Sequence, residues 1–160
     1  MNLPSSRVIW QSTLGRLFTH PSLYTRMRLT KRDGSRLDNA TLGEWGERLA
    51  IQWLRCQGRK VLYRNFRAGG GGEVDIVARH GKLLTFIEVK TRTSTTRGRP
   101  AEAVDKAKED LILRGANAWL RLLHQKESVN IPTRCDIVEV ILREGERPEI
   151  GIIEGAFRER

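Results

Sequence analysis

Cysteine is nearly missing from this chain: Cys56 and Cys135 are its only two in 160 residues. One falls near the end of an expected helix and the other in an expected strand. Neither a disulfide framework nor a thiolate zinc site is therefore indicated, and a reducing, cytoplasmic setting is the simplest expectation. His20, His80 and His124 stand apart with no ligand spacing among them, so they support no histidine metal site. No apolar run approaches the length of a bilayer span, which argues against membrane insertion. Acidic residues are absent from the first 32 positions, where arginines and serines gather without the central apolar stretch of a secretory signal. Internal repeats and heptads are also lacking, and the one low-complexity piece, the four glycines at 69–72, reads as a loop.

What is present is positive charge. Lys and Arg outnumber Asp and Glu by 29 to 19, a formal charge of +10, which favours anionic partners, nucleic acid or anionic lipid, without choosing between them. With 39% hydrophobic and 30% charged residues the chain has the balance of one globular domain. Residues 1–38 read as a basic extension, a candidate for disorder, and 39–160 as the domain. Met27 is a candidate start, since the recognisable domain begins only a little after it.

Thr41-Leu42-Gly43-Glu44 has the form of a capping box and predicts a helix start. Leu42, Trp45, Leu49, Trp53 and Leu54 recur at helical spacing, and Gly58 supplies the stop. Short runs rich in Val, Ile, Leu and aromatics at 61–66, 74–78 and 83–89 predict three strands. Pro100 and an Ala-, Lys- and Leu-rich stretch predict a second helix with Val104, Ala107, Leu111, Ala118, Trp119 and Leu122 on its apolar face. A fourth strand at 135–142 and a weaker fifth at 150–153 follow. The third strand is apolar on both alternating sets, which implies a sheet covered on both sides, an α/β sandwich.

The chemistry concentrates in Gly72-Glu73-Val74-Asp75 and, across a short turn, Phe86-Ile87-Glu88-Val89-Lys90-Thr91-Arg92. Glu88 and Lys90 are two apart on a strand and share a face. If Gly81-Lys82 is a two-residue turn, Asp75 lies opposite Glu88; a turn at His80-Gly81 pairs Asp75 with Phe86 and still leaves the three groups on one face. Two carboxylates and an ammonium beside apolar neighbours call for compensation, and a divalent cation supplies it: hard oxygen donors suit Mg²⁺ or Mn²⁺. Glu47, one turn along the first helix from the cap, is an auxiliary metal or water ligand. Arg64, Arg67, Arg92, Arg97, Arg99, Lys106 and Lys108 lie where phosphates can be met, and set affinity rather than sequence choice. Glu73 reads as a supporting residue and Asp136 beside Arg134 as a structural ion pair. The tryptophans are core candidates first.

These residues resemble the YraN family of bacterial endonuclease-like proteins, related to archaeal Holliday junction resolvases within the PD-(D/E)XK nuclease superfamily. The match covers about 42–142 and rests on Gly43-Glu44-Trp45-Gly46-Glu47, Arg64-Asn65-Phe66-Arg67, the Asp75 and Glu88 strands, and Arg134-Cys135-Asp136-Ile137-Val138. The resemblance implies a restriction-endonuclease-like core, a central mixed sheet flanked by helices in the order α-β-β-β-α-β. By resemblance Asp75 and Glu88 are the metal-binding acids, Lys90 the catalytic lysine and Glu47 the helix glutamate, and Arg48 fits the same helix pattern. It implies a Mg²⁺- or Mn²⁺-dependent nuclease acting on DNA, branched or structured, and a homodimer as in the resolvase relatives. The rival expectation is a non-catalytic nucleic-acid-binding or interaction module that retains the fold. For Asp75, Glu88 and Lys90 the competing reading is a solvated cross-strand salt-bridge cluster, which the apolar surroundings and the resemblance disfavour. A third expectation has the basic extension associate with anionic membranes or ribosomes.

Overall fold

The computed structural model describes residues 8–10, 20–93, 106–124 and 131–157. Their elements are β1 (Val8–Trp10), a short 3-10 turn (Pro21–Leu23), α1 (Asn39–Cys56), β2 (Lys60–Arg67), β3 (Glu73–His80), β4 (Leu83–Arg92), α2 (Lys106–His124), β5 (Thr133–Ile141) and β6 (Glu149–Phe157). The six strands form one sheet in the order β1-β6-β5-β4-β3-β2. Only β4 and β5 run parallel; every other pair is antiparallel. A parallel pair needs a crossover, and α2 supplies it. The expected mixed α/β sheet flanked by helices is what forms.

Each helix covers its own face. Leu49, Ala50, Trp53 and Leu54 of α1 pack with Ile76, Ala78, Ile87, Val138, Val140, Ile150 and Ile152. Ile112 and Ala116 of α2, with Trp119 and Leu120, pack with Val77, Leu84, Phe86, Cys135, Ile137 and Ile153 on the other. This two-sided burial is what the doubly apolar third strand required.

Local readings change in three places: the cap of α1, the fifth strand, and the apolar face of α2, where Ala107 and Leu122 are exposed and Ile112 and Ala116 are buried in their stead. Asp38, not Thr41, caps α1: its Oδ1 accepts the Thr41 amide at 2.8 Å. A carboxylate is the stronger acceptor against the positive end of a helix, and with the cap taken Glu44 turns to Arg48 at 3.8 Å. The fifth strand, expected to be weak, runs the full length of β6, with a register slip opposite 135–137 where Gly155 takes φ +63° and donates its amide to Asp136 Oδ1 at 2.9 Å. The segment ahead of α1 contributes β1 to the sheet edge and Leu23 to the core. Met27 is tied by its amide to the Glu146 carbonyl at 2.7 Å. Single buried residues such as Leu23 carry no periodicity and so no sequence signal. Pro100 and Val104, assigned to the start of the second helix, lie outside the described residues.

Candidate active site

The turn between β3 and β4 is the Gly81-Lys82 one. His80 faces Leu83 and Ile76 faces Ile87, with Gly81 at φ +61°, the positive value that the first position of a type II′ turn demands. This register directs Asp75 towards Glu88. The ladder nevertheless stops at Ile76 and Ile87. Beyond it the Val89 amide donates to Asp75 Oδ2 at 2.8 Å. On the other side of Asp75, β2 is distorted: Asn65, between the Arg64↔Ile76 and Phe66↔Val74 pairs, takes φ +50°, a left-handed value that asparagine tolerates better than most side chains. Strict alternation breaks here too, since Val74 and Val77 both pack on the α2 side. The acid thus occupies the place where the sheet's hydrogen bonding opens.

Glu88 is buried, 3% exposed. Its Oε1 accepts from Lys90 Nζ at 2.9 Å and pairs with Lys108 Nζ at 3.3 Å, whereas Oε2 is buried with no hydrogen-bond partner. A buried carboxylate oxygen left unsatisfied is costly in a folded protein and points to a missing donor or cation. Asp75 is pushed up to about 7, first by burial and then by the Glu88 charge; the Val89 amide and Lys108 oppose the shift and Glu47 adds to it. Glu47 and Lys90 line a shared cleft of about 310 Å³ between α1 and the end of β4. Gly46 allows that approach: a Cβ there would lie 1.8 Å from Thr91 Oγ1.

The expected phosphate ligands separate into groups. Arg64 and Arg67 of β2 and Lys106 of α2 are exposed. Arg48 is exposed on α1 beside Glu44. Arg92 instead pairs with buried Glu139 at 2.9 Å, its side chain 16% exposed. Burial raises Glu139 and Arg92 pulls it down, burial being the larger effect. Lys108, expected at a phosphate, reaches into the site and bonds Glu73 as well as Glu88. Arg97 and Arg99 lie outside the described residues. Asp136 is fully buried in a network in which Arg134 Nε lies 2.7 Å and Arg59 3.3 Å away, with Glu154 bonded to both arginines. It is a structural ion pair, as the sequence suggested.

Sequence reasoning missed the inward role of Lys108 and the burial of Glu139. The first had a faint signal, Lys108 sharing a helical face with Ile112 and Gly115. The second had none, because Glu139 sits in an apolar run whose neighbours identify only a strand.

Two carboxylates with hard oxygen donors, one oxygen unsatisfied, fit a divalent ion held by Asp75 and Glu88 with its other positions left to water or phosphate oxygen. Among the described residues no group of three or more His, Cys, Asp and Glu side chains is arranged to hold a metal, so such an ion would rest on this pair.

The fold and this pair define an α/β domain with an acid pair and a lysine where two strands diverge. The chain matches the family described as Uncharacterised protein family UPF0102 over residues 46–140 and belongs to it, the YraN family of the resemblance above. A UPF0102 protein of Syntrophotalea carbinolica is 44% identical over 117 residues, covering 73% of this chain and 91% of the relative. One from Geotalea uraniireducens is 40% identical, covering 79% and 96%. A Clostridium acetobutylicum relative is 39% identical, covering 75% and 96%. No helix among the described residues is long and apolar enough to cross a membrane.

Proposed function

We propose that this protein is a metal-dependent nuclease that hydrolyses phosphodiester bonds in DNA, branched or structured DNA being the preferred substrate. The observation that carries the reading is the unsatisfied Glu88 Oε2, buried beside Asp75 and the Lys90 ammonium. Mg²⁺ or Mn²⁺ held by Asp75 and Glu88 would polarise a phosphoryl oxygen and lower the pKa of its water. The protein's own groups do the rest. Asp75 and Glu88 hold negative charge in a partly dry site. Lys90, fixed by Glu88, offers a positioned cation to charge developing on the scissile phosphate. Glu47 faces the same cleft and can hold a water by hydrogen bonding. Exposed Arg64 and Arg67, in a chain of net charge +10, supply phosphate contacts.

The DNA preference and branching rest on family resemblance, as does a homodimer. A second reading, a nucleic-acid-binding module without turnover, draws on the fact that Lys90 and Lys108 already neutralise part of the acid cluster. Incubation of the purified protein with single-stranded, duplex and four-way-junction DNA and with RNA, with and without Mg²⁺ or Mn²⁺, separates the two. The nuclease reading expects metal-dependent cleavage that disappears in Glu88→Ala and Lys90→Ala. Cleavage that survives in both variants, or binding without any cleavage, removes it.

A further inference from the structure

Backbone contact, rather than side-chain packing, docks α2 against the start of β3. A Cβ on Gly72 would lie 2.3 Å from the Gly115 amide nitrogen, and one on Gly115 would lie 2.9 Å from the Glu73 backbone. Only glycine at both places permits this approach. Lys108 lies two helical turns before Gly115, and residues spaced by seven share a helix face. The close contact therefore swings the Lys108 stem over the acids. Its ammonium bonds Glu73 at the rim, whose side chain is 36% exposed, and reaches Glu88 inside, whose side chain is 4% exposed.

We infer that Lys108 is a built-in counter-cation for the acid pair: a divalent ion displaces it from Glu88, and Glu73 retains it at the rim. This inference rests on the metal-site reading above. Two ammonium groups share Glu88 Oε1, and a dication arriving on the same carboxylate repels both. Lys108 is the one with a second acid already in hand, so moving it leaves no buried charge unpaired. Glu73 and Lys108 then form a transfer pair, with Glu73 acting on metal affinity through Lys108. Lys108 is a positioning residue in this scheme. It keeps the acids compatible with folding in the absence of metal and leaves the ligand position as metal enters.

Mn²⁺ titration of the full chain, followed by electron paramagnetic resonance or calorimetry, tests this without activity as a readout. Lys108→Met is expected to tighten Mn²⁺ binding by about tenfold, and Glu73→Gln to weaken it severalfold by leaving Lys108 on Glu88. In the double variant, loss of Glu73 should have almost no further effect, because its influence runs through Lys108. Additive effects, or unchanged or weaker binding in Lys108→Met, overturn the inference while leaving the metal site standing if Asp75→Asn still abolishes binding. Absence of Mn²⁺ binding by both the wild type and Lys108→Met sinks the metal site itself and this inference with it. Thermal unfolding checks that each variant is folded. Lys108→Gln replaces Lys108→Met if the latter is not, with the same expected direction.

Discussion

The Val89 amide donates to Asp75 Oδ2 at 2.8 Å just past the last paired residues of β3 and β4. One side chain thus stands in for a rung of the sheet and is simultaneously a candidate metal ligand. Asparagine keeps an acceptor for that amide but removes the charge that repels Glu88. Asp75→Asn should abolish metal-dependent cleavage, by about a hundredfold or more, yet raise unfolding stability at pH 8 without divalent ions by about 1 kcal/mol, roughly 3 °C. Parallel cleavage assays and thermal melts check both halves; a large fall in melting temperature would mean the carboxylate is structural.

The raised Asp75 gives metal binding a definite pH dependence. Its folded-state value of about 7 lies above the ordinary carboxylate value, burial being the main cause and Glu88 the next. Without metal the folded state therefore holds a proton that the unfolded chain releases. This group's contribution to stability is most favourable below about pH 4 and is lost as pH rises through about 7. An ion at Asp75 must displace that proton, so Mn²⁺ affinity should be flat above about pH 7.5 and weaken below pH 7, approaching tenfold per pH unit. Titrations between pH 6 and 8.5 test the sign; affinity that rises as pH falls contradicts it.

The glycine contact beneath α2 should be intolerant of side chains. Gly72→Ala forces a methyl to 2.3 Å from main chain that cannot swing aside, so a loss of about 3 kcal/mol is expected. Gly115→Ala should cost somewhat less. Urea denaturation measures both, and a neutral Gly72→Ala would show that α2 can shift without penalty.

The Asp136 network should matter to stability and not to chemistry. Asp136 is fully buried between Arg134 and Arg59, and Arg59 is itself 8% exposed. Asp136→Ala leaves Arg59 and Arg134 to share the one Glu154 carboxylate and should cost about 3 kcal/mol, with cleavage per folded molecule unchanged. Denaturation curves and active-fraction-corrected rates distinguish this from a catalytic role.

Exposed and paired arginines should differ in DNA binding. Arg64→Ala should weaken binding uniformly across sequences and reduce the salt slope by about one. Arg92→Ala, by leaving buried Glu139 unpaired, should lower stability as its main effect. Equal salt-slope changes in the two variants would contradict the assignment of Arg92 to Glu139.

Much of this arrangement was written locally. Alternation along 83–89 required a sheet covered on both faces, and the Gly81-Lys82 turn set the register that points Asp75 at Glu88. The two-residue spacing of Glu88 and Lys90 put them on one face. Such features are legible because a turn or a strand constrains only its immediate neighbours. The cap was misplaced because two good acceptors, Asp38 and Thr41, compete within one turn and the chain alone does not rank them.

By itself, then, the sequence determined the two long helices, the strands from β2 to β6, the family and the candidate acid pair, and it narrowed the β3–β4 turn to two registers, of which the structure takes the Gly81-Lys82 one. Only the tertiary structure decided that Lys108 reaches Glu73 and Glu88, that Arg92 is spent on Glu139, and that one oxygen of Glu88 is left without a partner. Those outcomes depend on how closely α2 and β5 approach β3 and β4. Approach distance is set by contacts between residues remote in the chain, such as Gly72 with Gly115, which no local periodicity encodes.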